Sequence, residues 1–139
     1  MIIANFTVSG IPKAKGRPKF SRVGNYVKTY TPKDTIVYEN LVKLEYERQC
    51  DDIYFDDLPT RATLMVYFPI PKSVSKRKHQ EMSVGLIKHD KKPDCDNLAK
   101  SILDALNGIA FKDDSQVCEL IVHKLYSDEP RVDVTIETL

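Results

Sequence analysis

Two aspartates one residue apart, Asp94 and Asp96, stand just before a helical pattern, and Asp113 and Asp114 follow it. In an extended segment, side chains two apart point to the same side. Asp94 and Asp96 can then share a hard divalent cation, which prefers oxygen donors. Pro93 favours an extended chain ahead of them. A helix followed by a strand returns the chain toward its sheet, so a third carboxylate from Asp113 or Asp114 can complete the set. Lys100 falls one helical turn after Asp96, and Asp104 continues the same row. A cation there can hold the carboxylates together without metal, or contact a phosphate when metal is bound. The plainer alternative makes Asp96 a helix N-cap and Asp94 a solvated loop acid. Asp113-Asp114 is then a polar turn, and Lys100–Asp104 a surface ion pair of little consequence. Spacing alone leaves both readings open.

Other chemistries find little support. Cys95, between the two acids, points away from them in an extended chain and is expected to fill core. His79, His89 and His123 lie far apart, and no CxxC or HxxxH pair suggests zinc. There is no Ser/His/Asp set, glycine-rich phosphate loop or dinucleotide fingerprint, so no organic cofactor is expected. Three widely spaced cysteines argue against a disulfide framework and fit a reducing cytoplasm.

The net charge of +1 conceals segregation. Residues 1–33 carry seven Lys/Arg and no acid; residues 72–92 are net +5. Residues 34–60 and 93–139 are each net −6. Basic blocks alternating with acidic ones point to a polyanion held by part of the surface, without separating DNA from RNA or an acidic protein. Tyr26 and Tyr30 inside the first basic block either stack on bases or pack with their hydroxyls exposed. Lys76-Arg77-Lys78 is either a phosphate grip or the wet face of a short helix.

The elements that must position these groups fit one domain over residues 1–139. A hydrophobic content of 42% is ordinary for a globular chain, and no apolar run is long enough to span a membrane. Residues 2–9 read as a strand and 10–33 as loop, with a short hairpin near Gly24-Asn25. A helix is predicted over 34–49, with Val37, Leu41 and Leu44 as its apolar stripe, Tyr38 and Val42 beside it, and its acids in solvent. Strand 62–68 follows, then a short basic helix capped by Ser73 or Ser75 and running to Met82. A helix over 97–107 carries the stripe Leu98, Ile102, Leu106 and stops at Asn107-Gly108. Strands 115–126 and 131–138 are expected to pair as a closing hairpin. The order β-α-β-α-α-β-β predicts a small α+β domain, a mixed sheet of about four strands covered by helices.

The run KPDCDNLAKSILDALNGIAFKDDSQV, residues 92–117, resembles the RusA family of Holliday junction resolvases, found in bacteria and their prophages. The shared pattern is Pro-Asp-x-Asp-Asn, a Lys four residues after the second Asp, Asp-Ala-Leu, then Asp-Asp-Ser-Gln. GIPKAKGRPKF, TYTP and PKSVSKRKHQEM in the flanks are similar too. The resemblance implies that Asp94, Asp96 and Asp114 are catalytic and metal-binding, that Asp113 is a companion ligand, and that Lys100 is catalytic. It implies Mg²⁺ (or Mn²⁺), a homodimer, branched DNA as partner, and products bearing a 5′-phosphate and a 3′-hydroxyl. Lys13, Lys15, Arg17, Lys19, Arg22, Lys76, Arg77, Lys78, Lys91 and Lys92 are the expected DNA contacts. One departure is Pro93, where some members carry Arg. The competing expectations are a nucleic-acid-binding module that cuts nothing, and a nuclease selective for flaps or forks.

Overall fold

The computed structural model describes residues 1–16, 19–30 and 32–139, with the backbone alone for Lys19, Val23 and Tyr30. In chain order the elements are β1 (Ile3–Ser9), β2 (Lys19–Val23), β3 (Tyr26–Tyr30), α1 (Lys33–Cys50), β4 (Thr60–Pro69), α2 (Lys76–Ser83), α3 (Cys95–Leu106), a 3₁₀ turn (Asp114–Gln116), β5 (Val117–Ser127) and β6 (Arg131–Thr138). Alternation builds the sheet. Ala4, Phe6 and Val8 of β1 are buried, as are Ala62, Leu64, Val66 and Phe68 of β4 and Val132, Val134 and Ile136 of β6. Their sequence neighbours face the open side, as a period of two requires. The strand order is β1-β6-β4-β5, with β5 parallel to β4 and the other pairs antiparallel. This is the mixed four-stranded α+β sheet that the element order implies.

The expected closing hairpin between the last two strands does not form. β4 lies between them and pairs with both. Asp128-Glu129-Pro130 offers no glycine or asparagine for a tight two-residue turn. The link instead steps across the end of β4, a distance of roughly 9.5 Å at two strand spacings, within reach of three residues.

The first helix also packs on a different face from the predicted one. Thr35, Tyr38, Val42, Tyr46 and Cys50 are buried, whereas Val37 and Leu44 are more than half exposed. Both stripes are apolar, but two tyrosines bury more surface than a valine and a leucine. Tyr46 meets Phe6 edge-on at 5.3 Å, and its hydroxyl donates to the Ile53 carbonyl at 2.6 Å. The acids are not all in solvent: Glu39 is half-buried and ion-paired with Lys15.

The sheet's two edges are finished differently. At β1, Gln49 of α1 mimics a neighbouring strand. Its Oε1 accepts from Thr7 N at 3.0 Å and its Nε2 donates to Thr7 O at 2.9 Å. Cys50 Sγ donates to the Asn5 carbonyl beside it. At β5, the far end alone is covered among the described residues, where His89 N donates to Lys124 O at 3.3 Å.

The separate β2–β3 hairpin turns at Gly24, whose φ of +62° suits glycine. It carries Phe20, Arg22, Tyr26 and Lys28 in solvent.

Candidate active site

α3 is the element on which the site is built. Leu98, Ala99, Ile102, Leu103, Ala105 and Leu106 bury its inner face. Asp96 and Lys100 remain on the exposed side. The helix begins at Cys95, two residues earlier than the sequence pattern suggests, so Asp94 is its N-cap and Asp96 lies in its first turn. The two-apart argument for an extended segment therefore does not apply. The carboxylates come from an extended cap residue and the helix it opens, and Cys95 between them is exposed, not core.

Asp94 occupies the capping position with extended backbone, φ −72° and ψ 154°, yet its side chain makes no cap hydrogen bond. An aspartate there ordinarily accepts from the free N–H groups of the first turn. Here the carboxylate is left available, close to the positive end of the helix dipole. It borders an open cleft of about 350 Å³ with Lys92, Pro93 and Asn97.

Asp113 and Asp114 divide two tasks. Asp113 caps the 3₁₀ turn: Oδ2 accepts from Ser115 N at 3.0 Å, and Asp113 N donates to Gln116 Oε1 at 3.0 Å. Hydrogen bonds from Ser115 hold the Asp113 carboxyl below the ordinary aspartate value. Asp114 has its backbone fixed, because Asn107 Oδ1 accepts from its N–H at 2.8 Å, while its carboxylate is free. Asn107 closes α3, so this bond ties the third aspartate to the helix bearing the first two. Gln116 fastens the turn from the other side, donating to the carbonyls of Asp56 and Leu58 at 2.9 Å each. The sequence marks Asn107 only as a helix stop, and carries no signal of its hold on Asp114 N.

The expected cations fall into distinct settings. Lys100 is exposed, with Nζ 3.7 Å from Asp104 Oδ2. Lys15 reaches inward, pairing with Glu39 at 2.5 Å and Asp104 at 3.3 Å. Burial works against its charge, but the two carboxylates outweigh that and hold its pKa above the ordinary lysine value. Its ammonium braces the basic segment against α1 and α3. The backbone there is bolted to α3 as well: Lys15 N donates to Asn97 O at 3.1 Å, and Ser101 Oγ donates to Lys13 O at 2.8 Å. Lys13, Arg22, Lys76, Arg77, Lys78, Lys91 and Lys92 are exposed. Arg77 shares its charge with Glu81, and Ser75 caps α2 beneath this basic run. Arg17 and the side chains of Lys19 and Tyr30 lie outside the described residues.

Asp94, Asp96 and Asp114 are oxygen donors whose carboxylates make no hydrogen bond or ion pair among the described residues. That chemistry suits a hard divalent cation. Among the described residues, no three His, Cys, Asp or Glu side chains are grouped so that they alone could hold a metal ion. Mg²⁺ does not require such a group, since it commonly binds one or two carboxylates together with waters and substrate phosphates.

A family model described as Endodeoxyribonuclease RusA matches residues 9–137. Uncharacterized protein YqaN of Bacillus subtilis (strain 168) is 41% identical over 133 residues, covering 94% of this chain and 93% of that one. The chain belongs to the RusA endodeoxyribonuclease family. That makes it a member of a family of DNA hydrolases that act on Holliday junctions. No helix among the described residues is long and apolar enough to cross a membrane.

Proposed function

We propose that this chain is a divalent-metal-dependent endonuclease that resolves four-way DNA junctions by paired symmetric nicks, acting as a homodimer in the cytoplasm. The observation that carries this reading is Asp94, an aspartate at a helix N-cap that caps nothing. Asp94, Asp96 and Asp114 hold the cation, and Asp113 supports them by fixing the turn that carries Asp114. A bound Mg²⁺ or Mn²⁺ supplies Lewis acidity at the phosphodiester and makes water a competent nucleophile. Lys100 adds positive charge beside the carboxylates, where charge builds on the transferring phosphoryl oxygens. Lys91 and Lys92 flank the cleft and draw the backbone toward it. Lys13, Arg22 and the α2 cations hold flanking phosphates and set orientation. Such a grip is necessary, because a bare carboxylate cluster repels DNA. A two-fold dimer meets the approximate two-fold symmetry of a four-way junction with two identical sites.

The test compares a synthetic four-way junction, a fork, a flap and a linear duplex, each with Mg²⁺ or chelator, using wild type and Asp96→Asn. Paired Mg²⁺-dependent nicks on the junction are expected, with cutting reduced by about 10²–10³-fold or more in the variant. Tight binding with no cutting in Mg²⁺ or Mn²⁺ returns the carboxylates to a structural role. Faster cutting of the fork or flap assigns a different substrate to the same site.

A further inference from the structure

The uncovered part of β5 is unusual for an exposed sheet edge. Natural edges are blunted by lysines, prolines, bulges or covering segments. β1 is covered by Gln49. Between Val117 and His123, β5 has no Lys, Arg or Pro, and its one acid, Glu119, is drawn across the sheet to Arg61 at 2.5 Å. Leu120 is 46% exposed and Ile121 42%, although they point to opposite faces. The strand is thus open along its edge and on one face, and only Val117 and Val122 of this stretch pack on the core on the other.

The direction of its free backbone groups follows from one bond. Lys124 O accepts from His89 N, so the backbone groups of Lys124 point away from β4. The alternation of a strand turns those of Val122 and Leu120 the same way. Among the described residues, nothing outside the sheet occupies them. We propose that two copies of this chain join through this edge, β5 antiparallel to β5, on a two-fold axis through Ile121. The result is one continuous eight-stranded sheet. This deepens the homodimeric reading above and rests on it.

Parity and side-chain pairing select the register. A one-residue slip would set free backbone groups against groups already bonded to β4, so only registers in steps of two are open. With the axis at Ile121, Leu120 and Val122 of each copy exchange backbone hydrogen bonds and also meet as an apolar pair. Both lie on the helix side, beside the buried Ala62 and Leu64. On the open face Ile121 meets its twin, and Glu119 lies opposite His123 of the second copy, an acid facing an exposed imidazole. Moving the axis to Leu120 would set the polar Glu119 against the apolar Ile121 and leave His123 without that neighbour. An axis through Ile121 is normal to the sheet, so both α3 helices and both aspartate sites share one side of the dimer. That is the arrangement one flat four-way junction needs.

The test uses the full chain with Cys95→Ser and Cys118→Ser as background. Ile121→Cys places two cysteines in a non-hydrogen-bonded pair with Cα atoms about 4.5 Å apart, within the disulfide range. Mild oxidation should give a covalent dimer at least ~10-fold faster than for Leu86→Cys, an exposed control elsewhere. Sedimentation of Ile121→Lys, which sets like charges face to face, should show a monomer with an unchanged circular dichroism spectrum. Cross-linking no faster than the control, or a dimer that survives Ile121→Lys, overturns the interface. If that surviving dimer still nicks junctions, the resolvase reading stands and this inference alone falls. A monomeric wild type that nicks only one strand removes both the interface and the dimeric mechanism.

Discussion

At the residue scale, the site separates aspartates that hold structure from aspartates that are free. Asp113 is committed to its cap, while Asp94, Asp96 and Asp114 keep open carboxylates. Asn107 acts on one of these through the backbone. Asn107→Ala removes the acceptor for Asp114 N and should weaken apparent Mg²⁺ affinity by roughly 10–100-fold, the usual scale for a group that orients a ligand. A Mg²⁺ titration of the cleavage rate reads this as a shift in half-saturation, with the saturated rate largely restored. Asn107→Asp, which keeps an acceptor in place, should behave more mildly. His89 gives a second prediction. Its ring stacks on Phe68 at 3.8 Å, its Nδ1 is buried without a partner, and burial with Lys124 and Lys91 nearby lowers its pKa from 6.5. As pH falls through 6.5, the unfolded chain takes up this proton before the folded one does. Folding stability is therefore lost from about that pH downward, until the folded imidazole titrates as well. Above that window the group is neutral in both states and contributes no slope. Urea melts at about pH 7.5 and about pH 5 should show a smaller acid-side loss for His89→Phe than for wild type.

At the element scale, α1 presents two apolar stripes; the one bearing the tyrosines is buried, while the other reaches the core only through Leu41. Their hydroxyls have different fates. Tyr46 donates to Ile53 O, whereas Tyr38 Oη is buried and the Lys13 backbone approaches it without completing a hydrogen bond. Tyr46→Phe should cost about 1 kcal/mol, and Tyr38→Phe should be neutral or stabilising. Parallel urea denaturation of the two variants checks the contrast. The same helix shows where sequence patterning stops. The strands at 3–9, 60–69 and 131–138 are legible because alternation with a buried face admits one orientation. The stripe of α3 is legible because its other side is polar. In α1 both stripes satisfy the helical period, and only the buried area of aromatic rings in three dimensions chooses between them. Strand pairing is hidden for a related reason, since β4 enters between β5 and β6 from a distant part of the chain. The free carboxylates at 94, 96 and 114 could be picked out as candidates from residue type and spacing. The positioning role of Asn107 could not, because a helix-stopping asparagine and one that holds a distant backbone look alike in sequence.

At the scale of the molecule, the basic blocks are not uniform. Lys15 lies inside an ion-pair network, while Lys76, Arg77 and Lys78 face solvent on α2. Junction binding measured in chelator against salt should separate these roles. Neutralising Lys76, Arg77 and Lys78 together should lower the slope of log K on log salt by about 0.9 for each phosphate that the protein no longer neutralises. Lys15→Gln should leave that slope unchanged and instead lower folding stability by roughly 1 kcal/mol, as for a partly exposed ion pair. The clamp of Gln49 on Thr7 has a consequence for how many molecules can meet. A sheet with two open margins is a bivalent unit, and bivalent units join end to end without limit. By taking both outward backbone groups of Thr7, a single glutamine side chain interrupts the ladder that another strand would need along one margin. Whatever strand the other margin accepts, further growth toward a fibre would first have to displace that one amide group.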